Sequence, residues 1–158
     1  MLIRAATTDD HRAIWTILEP VIRAGETYAL DRDMSREAAL EYWLANEAFV
    51  AEDDGDVVGT YYLRRNQAGG GGHVCNCGYM VAAEASGRGV ARAMAEHSFE
   101  QARSGGYRGM QFNFVVRTNE RAVRLWQSFG FEIIGRVPGG FDHPGLGFVD
   151  SLIMYREL

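Results

Sequence analysis

YMVAAEASGRGVARAM, residues 79–94, joins an apolar run to a glycine-containing turn and then to the start of a helix. The helix is predicted because apolar and small side chains recur with helical spacing from Gly89 to Ser104. The first N–H groups of a helix have no partner within it, and glycine lets a ligand approach them closely. This stretch therefore predicts an anion site suited to a pyrophosphate, with Arg88 and Arg92 adding positive charge.

A helix that merely begins with glycine would show the same local pattern, so the rest of the chain must decide. A dinucleotide-binding fold requires GxGxxG near the first strand, whereas the third glycine position holds Arg92 and the stretch lies mid-chain. A phosphate loop requires Gly-Lys followed by Ser or Thr, which is absent. Neither nucleotide motif fits, and QAGGGG at residues 67–72 is predicted to be a flexible connection.

Strand and helix patterns follow one another along the whole chain in the order β, α, α, β, β, β, α, β, α, β, β. The first helix contains Pro20, which predicts a kink or an end near Glu19. No internal repeat or linker divides the sequence. We therefore predict one domain over residues 1–158 with an α/β (α+β) fold, in which helices cover both faces of a mixed sheet.

Composition limits the classes of partner. The net charge of −5 argues against nucleic acid or an anionic membrane surface as the main partner, because both require a basic surface. No apolar run approaches the roughly 18 residues of a membrane span. The start, MLIRAATTDD, lacks the apolar core of a signal peptide, so a cytoplasmic location is predicted.

The two cysteines, Cys75 and Cys77, stand two apart in a predicted strand, where a disulfide fits poorly. Free thiols are therefore expected. His73 shares their strand face, but three ligands on one strand without a CxxC partner make a poor zinc site. We predict no bound metal.

SGRGVA at residues 86–91 and NERAVRLWQSFGF at residues 119–131 resemble the two signatures of the GCN5-related N-acetyltransferase (GNAT) family. The resemblance covers essentially the full chain, although Ser86 stands where Arg or Gln is usual. It implies an N-acetyltransferase that uses acetyl-CoA. It also implies a mostly antiparallel, mixed and twisted sheet of six to seven strands, with a splay between the fourth and fifth strands.

The resemblance further implies where acetyl-CoA binds. The pantetheine arm would pair with the backbone around Met80 and Val81, and the amides from Gly87 to Arg92 would hold the pyrophosphate. Asn119 would contact the pantetheine, although it also fits a plain helix cap. The implied cofactor-binding residues are Met80, Val81, Gly87, Arg88, Gly89, Val90, Ala91, Arg92, Asn119 and Trp126.

Direct acetyl transfer requires a neutral amine, whereas an alkylammonium has a pKa near ~10, so a base or an exit path for the proton is needed. Many family members have Tyr where this chain has Trp126, and an indole N–H cannot deliver a proton at neutral pH. Tyr79 and Tyr107 cannot be assigned as the acid from sequence. Glu26 is the candidate for gripping or deprotonating the amine, although an exposed loop glutamate is ordinarily only solvated.

Asn76 and Asn113 each interrupt an apolar strand, and in this family these two strands diverge to admit the acetyl group and the amine. We expect both asparagines and Tyr28 to bind a small polar acceptor. Backbone pairing of the asparagines is the alternative. Loop residues Asp142 and His143 are further candidates for substrate contacts.

The segments AGETYALDRDMS and PGGFDHPGLGFVDSLIMYREL more narrowly resemble the branch of proline-analogue (azetidine-2-carboxylate type) and phosphinothricin-type acetyltransferases. This implies a small-molecule amine as acceptor, such as an amino acid or cyclic imino acid, and a homodimer. Ser86 and Trp126 depart from the family pattern, so a non-catalytic acyl-CoA-binding sensor stays open. So does acetylation of a protein N-terminus or lysine.

Overall fold

A computed structural model describes all residues from Met1 to Leu158. Strands and helices follow one another in the predicted order. The strands are β1 (Leu2–Ala5), β2 (Glu47–Asp53), β3 (Asp56–Arg65), β4 (Val74–Val81), β5 (Gly109–Val116), β6 (Glu132–His143) and β7 (Gly147–Glu157). The helices are α1 (His11–Ala24), α2 (Arg36–Leu44), α3 (Val90–Ser104) and α4 (Glu120–Ser128). None of these helices has the length and apolar character needed to cross a membrane.

The seven strands form one sheet in the order β1-β2-β3-β4-β5-β7-β6. All neighbours are antiparallel except β4 and β5, which are parallel. Their pairing covers only Val74 opposite Gly109 and Cys75 opposite Met110. Beyond these pairs the two strands diverge and leave a gap in the sheet. The predicted mixed sheet and its splay between the fourth and fifth strands are confirmed.

Helices cover both faces of the sheet, as predicted. Thr60 and Tyr62 of β3 contact Trp43 of α2, through a hydrogen bond of 2.9 Å and an edge-on ring contact at 4.9 Å. Tyr61, which points to the opposite face, bonds through its hydroxyl to His97 of α3 at 2.7 Å. Helix α1 packs beside α2. The sheet therefore lies between α1 and α2 on one side and α3 on the other.

Helix α1 continues through Pro20, so of the two predicted outcomes, a kink or an end near Glu19, the end is wrong. Leu18 and Ile22, on either side of the proline, are buried in the core. Burying such a side chain contributes roughly 1.5–3 kcal/mol, which offsets the hydrogen bond that proline cannot donate. The helix ends before Gly25, which has a φ of 63°.

The segment GGFDHPGLGF, predicted as a loop, is mostly strand, because β6 continues to His143. The register of β6 on β7 is irregular between Val137 and Phe141. This irregularity accommodates Pro138, which has no N–H to donate to the ladder. Asp142 and His143 therefore pair with Phe148 and Gly147 of β7.

A buried ion pair joins β1 to the start of α1. Arg4 donates from Nη1 and Nη2 to the two carboxylate oxygens of Asp10, at 2.8 and 2.9 Å. The backbone N–H of Thr7 donates to the same carboxylate at 2.7 Å. Asp10 is only 5% exposed. The hydrogen bond from Arg4 holds the pKa of the Asp10 carboxyl well below its usual range, against the opposing effect of burial.

We expect Asp10→Asn to lower the free energy of unfolding at pH 7 by about 2 kcal/mol, because it removes the buried charge-assisted hydrogen bonds to Arg4 and leaves Arg4 paired with Glu52 alone. The folded-state pKa of Asp10 is depressed, so its contribution is present above the unfolded pKa of about 4 and is lost as pH falls below it. Urea unfolding from pH 7 to pH 3 measures this, and the difference between wild type and variant should shrink with acidification. Glu19→Gln, in an exposed pair with Arg23, is the control. A pH-independent difference would contradict the assignment.

Candidate active site

A cleft of about 190 Å³ lies where β4 and β5 diverge. Its walls come from β3, β4 and β5, from α2 and the loop that precedes it, and from α4. Of its 19 lining residues, 13 are hydrophobic. Arg64 is the single charged side chain among them. The cleft is thus an apolar and aromatic space with one cation.

Aromatic rings line the α2 side of the cleft because Gly78 has no side chain. A Cβ on Gly78 would lie 2.6 Å from the ring of Tyr62, its cross-strand neighbour on β3. The Tyr62 ring meets Trp43 and Tyr42 edge-on, at centroid distances of 4.9 and 6.1 Å. Gly78 therefore allows Tyr62 to lie across β4 and to close this wall.

Tyr28 reaches the gap from the loop between α1 and α2. Its hydroxyl donates to the carbonyl oxygen of Tyr79 and accepts from the Tyr79 N–H, both at 2.8 Å. Arg32 donates to the Arg23 carbonyl at 2.9 Å and so ties this loop to α1. Burial raises the pKa of Tyr28, so its hydroxyl stays protonated at neutral pH. Tyr28 thus satisfies backbone groups that face the missing part of the ladder.

The alternation of backbone groups along β4 distinguishes Met80 from Val81, the two residues predicted to pair with pantetheine. Because the N–H and C=O groups of Tyr79 face the gap, strand alternation directs those of Met80 toward its partner Thr60 on β3. Those of Val81 again face the gap. Only Val81 therefore offers backbone groups to a ligand there, and the buried side chain of Met80 belongs to the core instead.

Both predicted substrate asparagines line the cleft. Asn76 donates from Nδ2 to the Gln111 carbonyl oxygen at 2.9 Å, just beyond the last β4–β5 pair. Asn113 donates from Nδ2 to Oδ1 of Asn66 at 2.5 Å. Asn76 thus makes the backbone bond that was the alternative interpretation. A substrate role for either side chain stays a prediction.

Helix α4 presents different faces to two cavities. Asn119 accepts the Ala122 N–H at 3.3 Å and so caps the helix. Asn119, Ala122 and Trp126 line the cleft. Trp126 packs against the rings of Tyr79 and Phe112 at centroid distances of 5.0 and 4.7 Å. The other face of α4 lines a second cavity of about 380 Å³, which lies at the start of α3.

The second cavity has the features of an anion cradle. Gly87 and Gly89 have φ values of 83° and 82°, which favour glycine. The N–H groups of Gly87 and of residues 89–92 donate to no backbone acceptor. A Cβ on Gly89 would meet nothing within 4 Å, so the space beside the turn is open. Free amides and the positive end of a helix dipole together suit a phosphate group.

The cations of this cradle differ in part from the prediction. Arg92 lines it as expected, but the side chain of Arg88 forms an ion pair with Asp53 at the end of β2. That carboxylate draws the guanidinium away from the cradle. Arg121 and Arg124 of α4 line it instead, and Arg121 donates to Oγ of Ser86 at 2.7 Å.

Sequence analysis missed both α4 arginines. Their spacing of three residues places them on one helical face, a signal that was available. Their proximity to Ser86 was not available, because it depends on how α4 packs. As a result, a guanidinium stands beside the position where the family signature has Arg or Gln.

The structure does not bring Glu26 to the cleft. It is exposed, whereas the next four residues of its loop line the cleft. Asp142, His143 and Tyr107 do not line the cleft either. No carboxylate or imidazole is among its lining groups. No group of three or more His, Cys, Asp or Glu side chains is arranged to hold a metal ion, and both cysteines are free thiols.

Comparison with known proteins assigns the family. The chain matches the model of the Acetyltransferase (GNAT) family over residues 10–131. It is 26% identical over 151 residues to N-acetyltransferase aca1 of Schizosaccharomyces pombe, a match that covers 84% of this chain and 72% of the relative.

Solved structures agree. A GCN5-related N-acetyltransferase from Kribbella flavida has a TM-score of 0.96 at 42% identity, covering 99% of this chain and 97% of the other. A phosphinothricin acetyltransferase (Pat) of the GNAT superfamily from Sinorhizobium meliloti, solved in complex with AcCoA, has a TM-score of 0.88 at 22% identity. This second match covers 99% of this chain and 88% of the other, and it shows the shared fold.

We expect Tyr28→Phe to accelerate hydrogen exchange at the Tyr79 amide and to lower the free energy of unfolding by about 1–2 kcal/mol, because both Tyr79 backbone groups lose their partner. Amide exchange and urea unfolding measure the two effects. Tyr42→Phe, which removes a hydroxyl that accepts a single bond of 3.2 Å, is the matched control. Equal exchange rates at Tyr79 in both variants would show that Tyr28 does not hold this backbone.

Proposed function

The chain belongs to the acetyltransferase (GNAT) family, and on this basis we propose that it transfers an acetyl group from acetyl-CoA directly to the amine of a small molecule, such as an amino acid or cyclic imino acid. One observation carries the proposal. Helix α4 borders both an anion cradle and the cleft between β4 and β5. An elongated donor with a phosphate group at one end and a thioester at the other fits this arrangement. Both cavities belong to what we assign as one domain over residues 1–158.

Acetyl-CoA is assigned to these cavities as follows. The free N–H groups of Gly87 and of residues 89–92 donate to the pyrophosphate, and the Arg92 and Arg121 guanidinium groups balance its charge. The pantetheine arm follows the gap, where the backbone of Val81 is open to it. Asn119 and Trp126 border its path from α4. The S. meliloti structural relative was solved with AcCoA, which supports this choice of donor.

In the transfer step the amine lone pair attacks the thioester carbonyl, a C–N bond forms, the C–S bond breaks and the thiolate of CoA leaves. Negative charge that builds up on the carbonyl oxygen requires hydrogen-bond donors. The Tyr79 N–H and the Tyr28 hydroxyl are the donors that border the gap, and each would exchange its present bond within the Tyr28–Tyr79 pair for one to the oxyanion. Burial raises the pKa of both tyrosines, so neither side chain serves as a base.

The acceptor nitrogen loses two protons, one when the ammonium becomes a neutral amine before the attack and one after the C–N bond has formed. The cleft contains no carboxylate or imidazole to take either proton, so we assign the removal of both to water. Trp126 occupies the place of the family's usual tyrosine acid and its indole is not acidic at neutral pH. The leaving thiolate, whose parent thiol has a pKa near 8.5, departs unprotonated and takes a proton from solvent.

The size and closure of the cleft favour a small acceptor over a protein N-terminus or lysine. Its volume is about 190 Å³, and the loop of residues 27–30 and α4 form opposite walls.

We also assign a homodimer as the assembly. Leu146 and Phe148, at the hairpin that joins β6 to β7, are 64% and 78% exposed. A second copy covering this apolar surface would remove it from water.

Thiol release from acetyl-CoA, followed colorimetrically, tests the activity. The panel contains amino acids, cyclic imino acids, polyamines and short peptides. We expect release that depends on an amino acid or imino acid, with the acetylated amine identified by mass spectrometry. Release only with peptides would favour a protein acceptor. Tight acetyl-CoA binding without turnover on any acceptor would favour the sensor function.

We expect Arg121→Gln to raise the Kd for acetyl-CoA about tenfold, because one charge-assisted hydrogen bond to the pyrophosphate is lost. Isothermal titration measures this, and kcat at saturating acetyl-CoA should change little. Arg36→Gln, which removes an equal charge from an exposed position on α2, is the control. Equal Kd values for the two variants would place the pyrophosphate elsewhere.

A further inference from the structure

Arg64 is a half-buried cation for which the protein supplies no counter-charge. No salt bridge of the chain includes it. By contrast Arg4, the partner of Asp10, has two carboxylates within reach. Holding an arginine partly out of water without a carboxylate is unfavourable unless other groups compensate.

The surroundings of Arg64 fix its position rather than neutralise its charge. Its guanidinium lies over the rings of Tyr62 and Tyr42, at 4.6 and 5.3 Å from their centroids. Nε donates to Oδ1 of Asn76 at 3.3 Å, and Nη2 donates to the Tyr42 hydroxyl at 3.2 Å. Nη1 has no hydrogen-bond partner in the protein. Cation–π contacts hold a guanidinium in place while leaving its edge free to bind.

The free edge belongs to the cleft. Arg64 is the one charged residue among its lining groups, and acidic side chains are absent from them. A positive charge in an otherwise uncharged cavity attracts an anion strongly, because low-dielectric walls screen it little. A guanidinium binds a planar carboxylate with two parallel hydrogen bonds.

We propose that Arg64 is the specificity-determining residue of the acceptor site, where it binds the carboxylate of the amine substrate. The proposal rests on the proposed acetyl transfer and narrows its acceptor to amines that carry a carboxylate. Arg64 lies opposite Asn76 of β4. Asn76 in turn stands three residues before Tyr79 on the same strand. Three residues of strand correspond to about 10 Å, a distance that an arginine side chain and an amino acid span together.

This assignment gives Asn76 a second role. Its Nδ2 donates to the Gln111 carbonyl of β5, and its Oδ1 accepts from Nε of Arg64. The side-chain amide is therefore held in place by β5 and in turn orients the Arg64 guanidinium. Asn76 is therefore a positioning residue for Arg64. The charge that recognises the substrate comes from β3.

The experiment compares acceptors that differ only in the carboxylate: proline with prolinamide, and alanine with alaninamide. At neutral pH a larger fraction of each amide than of each amino acid is in the unprotonated, nucleophilic form. The ratio of wild-type to variant kcat/KM is therefore compared for each acceptor, because this difference cancels in the ratio. We expect Arg64→Gln to lower kcat/KM for the amino acids by about 10- to 100-fold, mainly through KM, and for the amides by less than about threefold. Arg64→Lys should recover part of the loss, since lysine keeps the positive charge but lacks the planar pair of donors that binds a carboxylate with two hydrogen bonds.

Arg65→Gln is the matched control, because it removes the same charge from the next, exposed residue of β3. It should leave both acceptor classes unchanged. Thermal unfolding and acetyl-CoA affinity of each variant monitor any loss of packing around Tyr62. Equal losses on amino acids and amides, or no loss on either, would overturn the proposal.

A binding measurement separates this proposal from the proposed transfer. Saturation-transfer NMR with proline in the presence of CoA reads the carboxylate site without turnover. If no acceptor releases thiol but proline binds to wild type and not to Arg64→Gln, acetyl transfer fails and the carboxylate site stands. If turnover occurs and proline binds equally to both proteins, the carboxylate site fails alone.

Discussion

The divergence of β4 from β5 after Cys75 is the constraint on which the rest of the structure depends. A sheet that opens in its middle exposes backbone N–H and C=O groups that need partners. Side chains supply some of them: the Tyr28 hydroxyl bonds both backbone groups of Tyr79, and the Asn76 amide bonds the Gln111 carbonyl. The backbone of Val81 is left for a ligand. The gap is thus held open by polar side chains and is also the place where an extended donor can pair.

The binding of an anionic donor by a chain with a net charge of −5 follows from local arrangement. At physiological ionic strength charges act over about 8 Å, so the total charge matters less than the groups beside the ligand. At the start of α3 these are free amides and the guanidinium groups of Arg92, Arg121 and Arg124. In the cleft the corresponding group is Arg64. Two separate cationic places in one acidic protein suit two different anionic groups, the pyrophosphate of the donor and the carboxylate of the acceptor.

The chemistry of the cleft depends on hydrogen-bond donors more than on acids and bases. Tyr28, Tyr62 and Tyr79 stay protonated because burial raises their pKa values. Trp126 fills the place of an acid with a large ring that packs on Tyr79 and Phe112. A site of this kind accelerates the reaction by orienting amine and thioester and by stabilising the developing oxyanion. In the proposed mechanism proton transfer is left to solvent.

The sequence by itself determined the order of strands and helices, and it predicted an anion site at the start of α3. Both follow from local periodicity and from glycine and cap residues, whose effects act within a few positions. The splayed sheet was implied instead by the resemblance of two segments to the family signatures. It did not determine that α1 continues through Pro20, that Arg88 turns to Asp53, or that Arg121 lies beside Ser86. It also did not indicate Arg64, which in sequence is one of two consecutive arginines on β3. Only the tertiary structure decided these points, because each depends on which distant surfaces pack together and on which side of the sheet a charge is left without a partner.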